Sequence, residues 1–434
     1  MTSPGWTGAP TPPHQARLQG VNLGGWLVAG ATASHLTQFV EAGDFARLAS
    51  WRFTHVRLPL DAALLDEPQG WRSLDGVLAT CERYQLRCIL ALRLPPRARQ
   101  SLFAEEGQWR ALLQRWQDIA RRYRQAQPLL AYDLLERPLA PDDLPAPALA
   151  ALGAARLSPA AARRPARPGA TGGRAWNALA LKLTAAIREL DERVMLVVQA
   201  NEGASAAAFA HLRPTRDPHT HYSFHCFDPP AFTMQGLAAG ADHGLVPDEP
   251  PGPPPRSSAG APGPVERAER ATGHGVQRGA PGPVERAERA TGHGVQQRSE
   301  RPGMGWTHQG EEVQPAPPAQ PLTYPGTIAG ERWDRTRLEQ RFAPALEFRR
   351  VYEVPLYVGA LGATVHAPRS SQLTWIRSVL SLCHTHHIGW AYWTYKGGPF
   401  GLAADPADAY GELERYRNIQ RVDYDLLGIL QSEA

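Results

Sequence analysis

Few residues in this sequence combine a reactive type with a position that could do chemistry. Three carboxylates, Glu136, Glu202 and Asp228, stand at or just beyond the ends of short apolar runs, where strands would end and side chains would meet a cleft. One carboxyl held protonated beside another held ionised is what general acid–base or nucleophilic work requires. Arg137 follows Glu136 directly and Arg93 closes another apolar run. Such guanidinium charge would keep a Glu136 carboxyl ionised and make it a poor acid, and the plainer expectation is that Glu136 pairs with one of those two arginines. His384, His386 and His387 have a metal-like spacing, but no Cys, Asp or Glu nearby completes a ligand set, so a solvated helix end is expected. Gly24-Gly25-Trp26 lacks the frame of a phosphate loop, and no G-x-S-x-G elbow occurs. No metal or cofactor is expected.

The elements that must position these residues follow from hydrophobic pattern. Short apolar runs alternate with amphipathic stretches, which predicts βα units around a parallel sheet. Strands are expected at 20–23, 55–60, 87–92, 129–135, 194–199, 222–227, 355–359 and 388–392. Eight strands in this order suit a (β/α)8 barrel, whose catalytic groups gather at the C-terminal strand ends. The clearest helix is expected over 102–125, where Trp109, Leu112, Leu113, Trp116, Ile119, Ala120 and Tyr123 recur at three- and four-residue spacing. Further helices fit 71–84, 176–190, 335–352 and 370–384.

Glycine and proline, 40 and 41 residues, cluster in two stretches that break this pattern, 139–174 and 237–320. Both read as irregular or disordered insertions, and residues 1–15 as a disordered polar tail, with one barrel over 16–434. Within the second insertion GAPGPVERAERATGHGVQ occurs twice unchanged, at 260–277 and 279–296. Two copies are too few for a solenoid, so the repeat reads as slippage in a loop. Doubling a loop's length costs only about 0.6 kcal/mol.

Net charge is +4 in 434 residues, which gives no footprint for a nucleic-acid partner. Lys182 and Lys396 are the only lysines, a bias that fits a GC-rich genome. No leader-like apolar stretch and no run long enough to span a membrane is visible, so a soluble, by default cytoplasmic, chain without membrane association is expected. Cys81, Cys88, Cys226 and Cys383 are expected as buried free thiols, a Cys81–Cys88 disulfide being possible but not indicated.

Seven ordered segments carry a family resemblance: GVNLGGWL (20–27), HVRLPLD (55–61), YDLLERP (132–138), AWN (175–177), HYSFHCFDPPAFTMQG (221–236), VPLYVGALG (354–362) and GWAYWTYKGGPFG (389–401). Together they resemble glycoside hydrolase family 5, the cellulase-like (β/α)8 barrels. WTHQG at 306–310 resembles FTMQG at 232–236, so the insertion reads as having split or copied that segment. The resemblance implies a retaining mechanism, in which one carboxyl protonates the leaving oxygen and another attacks the anomeric carbon. The family's Asn-Glu-Pro aligns with Glu136-Arg137-Pro138, and its Gly-Glu-Phe-Gly with Gly359-Ala360-Leu361-Gly362. Arg137 thus stands at the acid/base position and Ala360 at the nucleophile position. Arginine cannot shuttle a proton and alanine has no nucleophilic atom. Arg93 replaces a family histidine, and Phe227 replaces the tyrosine that holds the nucleophile.

Arg57, His225, Trp26 and Trp393 match the family pattern. The resemblance implies that Arg57 steadies the nucleophile, His225 lines the sugar site and Trp393 floors it. The expected substrate-binding set is Trp26, Arg57, Glu136, His225, Phe227 and Trp393. The leading expectation is a catalytically degenerate barrel that binds a β-glycan or oligosaccharide. The alternative is an active retaining β-glycosidase using relocated carboxylates, Glu136 with Glu202 or Asp228. A third reading, suggested by the perfect repeat and eroded motif, is a chain drifting without a glycan role.

Overall fold

The computed structural model describes residues 18–140, 151–152, 173–237, 320–405, 410–411 and 413–432. The chain divides into two units, 1–248 with 314–434, and 249–313; every described residue lies in the first. Both copies of the repeat and most of each expected insertion lie outside the described residues, as does the tail.

Eight parallel strands close a barrel: β1 (Gln19–Asn22), β2 (His55–Asp61), β3 (Arg87–Arg93), β4 (Leu129–Asp133), β5 (Met195–Gln199), β6 (Thr220–Cys226), β9 (Leu356–Leu361) and β10 (Gly389–Tyr392). Each neighbours its successor in the barrel and β10 returns to β1. All eight fall where apolar runs predict them. A strand buried on both faces reads as a near-continuous hydrophobic run, and β2, β4, β5, β6 and β9 are buried at every residue. Between β6 and β9 lies a small antiparallel hairpin, β7 (Gly326–Ile328) with β8 (Glu331–Trp333).

The helices pack outside. Among the described residues those longer than one turn are α1 (Ala33–Gln38), α2 (Ala42–Ser50), α3 (Pro68–Arg83), α4 (Pro96–Ser101), α5 (Glu106–Tyr123), α6 (Arg174–Arg188), α7 (Arg335–Tyr352), α8 (Arg369–Thr385) and α9 (Tyr424–Ser432). The helix expected over 102–125 is in fact preceded by a separate α4 opened by Pro95-Pro96, and α5 begins only at Glu106. Leu102 and Phe103 are buried in the link between them. On α5 the residues Trp109, Leu112, Trp116, Ile119, Ala120 and Tyr123 are buried as their spacing requires, while Leu113, at the edge of that face, is only half-buried. Glu106 in its first turn and Arg121 and Arg122 in its last complement the helix dipole.

Inside the barrel the lower tier is apolar: Leu18, Ile89, Leu130, Ala131, Met195, Val197, Tyr357 and Ala391 form one cluster. Toward the C-terminal strand ends that filling gives way to polar side chains, Asn22, Arg57, Asp133, Gln199 and Ser223, all fully buried. Among the described residues no helix is long and apolar enough to cross a membrane. All four cysteines are free and buried, as the sequence suggests.

Candidate active site

Arg57, in the middle of β2, enters the barrel beside Asn22, its register partner on β1. Its Nη1 donates to Asn22 Oδ1 at 2.9 Å, and its Nε and Nη2 donate to Asp133 Oδ2 at 3.1 and 2.6 Å. Nη2 also donates to Glu136 Oε2. One guanidinium therefore serves two carboxylates. Gln199 at the end of β5 ties both to the same frame, its Nε2 donating to Asp133 Oδ1 and Oδ2 (3.0 and 2.9 Å) and to Glu136 Oε2 (3.2 Å). Asn22 completes the ring by donating to the carbonyls of Gly359 and Tyr392 at 3.0 and 3.2 Å.

Burial sets the electrostatics. It opposes charge on Arg57, but Glu136 and Asp133 outweigh it and hold the guanidinium more firmly protonated. Burial would also push Glu136 up; Arg57, with Gln199 adding a hydrogen bond, reverses this and holds the carboxyl ionised, below the usual range. Asp133 is pushed the other way, because burial and the Glu136 charge exceed what Arg57 and Gln199 return. His225 on β6 is held neutral, its pKa lowered to about 3 by burial with Arg57 and Arg137 adding to the effect. Its Nε2 lies 3.7 Å from Glu136 Oε1, and neither atom has a protein hydrogen-bond partner. These two unmatched polar atoms face each other at the barrel mouth.

Against them stands an apolar group: Phe227, Ala360, Trp393 and Phe400, with Met234 and Leu237 at its edge. Ala360 is fully buried and is the register partner of His225. The Phe227 ring lies 6.1 Å from that of Phe400 and 6.4 Å from that of His225. Gly24 in the first strand–helix loop lies against Trp393, where a methyl group would come within 2.7 Å of the indole. The bare backbone of the GGW segment is what lets that tryptophan seat.

The arginine paired with Glu136 is neither Arg137 nor Arg93, contrary to the sequence expectation, but Arg57. Adjacent residues in a turn do not aim at the same point. Arg137 has φ of 52°, gives its backbone N–H to Gln199 Oε1 at 2.9 Å, and extends its guanidinium toward Gly203. Arg93 pairs with Asp61, its register neighbour on β2, at 2.9 Å.

Glu202 is not brought to Glu136: it is exposed in the one-turn helix Asn201–Ala204, at φ 54°. Asp228 turns outward to Arg341 of α7, 3.2 Å away. Trp26 faces a different set, donating to the Leu36 carbonyl at 3.0 Å and meeting the Phe45 ring edge-on. Sequence reasoning missed Asn22, Asp133, Gln199 and Phe400. For the first three a signal existed, a lone polar residue near the C-terminal end of an otherwise apolar strand. His386 does not complete a metal site; it bonds to Glu339 at 2.9 Å, and no metal-competent cluster occurs among the described residues.

The model of the Cellulase family (glycosyl hydrolase family 5) matches residues 17–248. Endoglucanase C of Acetivibrio thermocellus is 23% identical over 88% of this chain and 92% of its own. Cellodextrinase A of Ruminococcus flavefaciens is 24% identical over 54% of this chain and 64% of its own. Among solved structures, Thermotoga maritima Cel5A in complex with cellobiose superposes with a TM-score of 0.59 at 17% identity, covering 97% of this chain and 100% of that one. The cellulose synthase subunit Z of Clostridioides difficile does so at 0.60 and 15% identity, covering 96% and 99%.

Proposed function

Because the chain belongs to glycosyl hydrolase family 5, the cellulase family, we propose that it is a catalytically degenerate member whose barrel mouth binds a β-glycan or oligosaccharide without cleaving it. One observation carries the reading. Glu136, just beyond the C-terminal end of β4, is locked to Arg57, while Ala360 stands in an apolar group across from it.

A retaining glycosidase needs two carboxyl groups roughly 5–5.5 Å apart, one able to give up a proton and one to attack carbon. Glu136 is held ionised and has no proton to give near neutral pH. Arg137 never loses its proton, and Ala360 offers nothing to attack with. What persists suits binding. Glu136 Oε1 and His225 Nε2 are polar atoms without protein partners, the pair that sugar hydroxyls would satisfy. Trp393 and Phe227 supply apolar faces for sugar C–H surfaces. The relocated-carboxylate alternative draws no support from Glu202, which is exposed, or from Asp228, which is paired with Arg341.

Titration calorimetry with cello- and manno-oligosaccharides, run beside long-incubation hydrolysis assays, tests this. Binding without turnover is expected, weakened on the order of tenfold by His225→Ala, the loss of one polar anchor worth about 1.4 kcal/mol. Turnover that disappears in Glu136→Gln would overturn the degenerate reading. Absence of any oligosaccharide binding would overturn the glycan one.

A further inference from the structure

The last residue of β3 places a cation at the barrel mouth, outside the network centred on Arg57. Side chains alternate along β3, Ile89 in the lower tier and Leu90 and Leu92 in the outer layer, so Arg93 turns inward at the top. Its Nε lies 2.9 Å from Asp61 Oδ1, and the side chain is 19% exposed. That contact is a charge pair without hydrogen-bond geometry, since Asp61 Oδ1 has no hydrogen-bond partner. Asp61 is itself fixed, because its Oδ2 accepts the Ala29 N–H at 2.8 Å. Among the described residues no acceptor takes a hydrogen bond from Arg93 Nη1 or Nη2. A guanidinium shielded from water on most sides and pinned at one edge is a preorganised fork for a planar, two-oxygen acceptor.

We propose that the barrel mouth selects a β-glycan that carries a carboxylate, a uronic acid residue, and that Arg93 recognises it, Nη1 and Nη2 donating to the two carboxylate oxygens. The inference rests on the glycan-binding reading above and adds the charge of the ligand. Asp61 offsets part of the Arg93 charge, but Glu136 does not. Glu136 stands alongside, its N–H donating to the Leu92 carbonyl at 2.8 Å, yet its carboxylate is taken up by Arg57 and Gln199. Across the mouth, β9 lies four places from β3 in the eight-strand ring. Its Ala360 brings no charge and sits among Phe227, Trp393 and Phe400. A sugar lying against that apolar wall presents its far edge to Arg93. Ala360 and Arg137 also stand where the family pattern has carboxylates, so the negative charge that would repel an acidic sugar is gone from both places.

Titration calorimetry on the full-length chain compares two ligands with one backbone, cellotetraose and the β-1,4-linked tetramer of glucuronic acid, which differ at C6 alone. The acidic tetramer is expected to bind on the order of tenfold tighter at low ionic strength. That advantage should shrink as salt is added. Arg93→Met is expected to bring the two ligands level, and Arg93→Lys, which keeps the charge but not the fork, to retain part of the preference. The wild-type comparison stands even where a variant fails to fold. Cellotetraose bound as tightly as the acidic tetramer overturns the acidic assignment and leaves the glycan reading intact, whereas binding of neither overturns both. A preference that persists in Arg93→Met overturns the role of Arg93. Equal affinity for cellotetraose 6-sulfate overturns the choice of a carboxylate over anions in general.

Discussion

Arg57 does its work by being shared. A buried ion pair is a weak source of stability when formed, because desolvating two charges offsets most of their attraction, but removing one partner strands the other. Here one guanidinium compensates two buried carboxylates, so the two ends of the network are not equivalent. Arg57→Met leaves Asp133 and Glu136 together with no cation, and is expected to cost about 3–5 kcal/mol of stability. Glu136→Gln removes one charge, keeps an acceptor for Arg57 and leaves the Arg57–Asp133 pair, and is expected to cost under about 1.5 kcal/mol. Urea unfolding of the two variants decides the matter; equal costs would mean that Glu136, not Arg57, anchors the network. That Glu136 and His225 converge was legible, because they sit at or just beyond the C-terminal end of a predicted strand, whereas Arg57, mid-strand, was legible only through the family resemblance of HVRLPLD. The pairing of Glu136 was not. Sequence neighbours such as Arg137 suggest contact, whereas Arg137 gives its backbone N–H to Gln199 and lays its guanidinium beside Gly203.

The elements behind the site were legible where burial leaves a long periodic trace, and α5 shows what that trace holds in place. Its Trp116 is fully buried, tilts against Tyr132 with ring centroids 5.1 Å apart, and donates its indole N–H to the Leu134 carbonyl at 2.9 Å. That carbonyl lies two residues before Glu136, so the helix steadies the turn that presents the carboxylate. Trp116→Ala is expected to cost about 3–5 kcal/mol through lost burial and the cavity left behind. Trp116→Phe restores most of the volume but not the donor, and should cost about 1–3 kcal/mol for the unpaired carbonyl. Thermal or urea unfolding measures both, and a phenylalanine variant as damaged as the alanine one would show that the hydrogen bond, not the packing, is what matters. The β7–β8 hairpin left no comparable trace. Its strands are three residues each, and its turn is Ala329-Gly330, with φ of 50° at the alanine, where the expected turn signal would be asparagine or glycine. The helices α1, α2 and α9 went unread because they are short, six to nine residues, too little for a 3.6-residue period to stand out.

At the scale of the whole molecule, an apolar lower tier and a charged upper tier inside one barrel make stability depend on pH in a direction that can be worked out. His55 and His225 are both fully buried and neutral, each with its pKa lowered to about 3 by burial, aided at each by Arg57 and by a second arginine, Arg87 for His55 and Arg137 for His225. The unfolded chain protonates both near their ordinary value of 6.5, and the folded chain cannot follow. Below that pH the unfolded state therefore binds more protons, and stability falls by up to roughly 1.4 kcal/mol per pH unit for each histidine. Asp133 opposes the trend, since its raised pKa makes the folded state the better proton acceptor just above the ordinary carboxylate range. Glu136, held down, reinforces acid sensitivity at still lower pH. Two histidines outweigh one aspartate, so acidification from neutrality to about pH 4.5 should cost on the order of 3 kcal/mol of unfolding free energy. His225→Gln, which cannot take up a proton in either state, should remove at least half of that loss while leaving the fold intact at neutral pH. Urea denaturation across the range, with far-ultraviolet dichroism as the probe, reads both effects. A flat profile, or stability that rises on acidification, would mean that the histidines are not neutral in the folded barrel and that the charge balance around Arg57 differs from the one its hydrogen bonds imply.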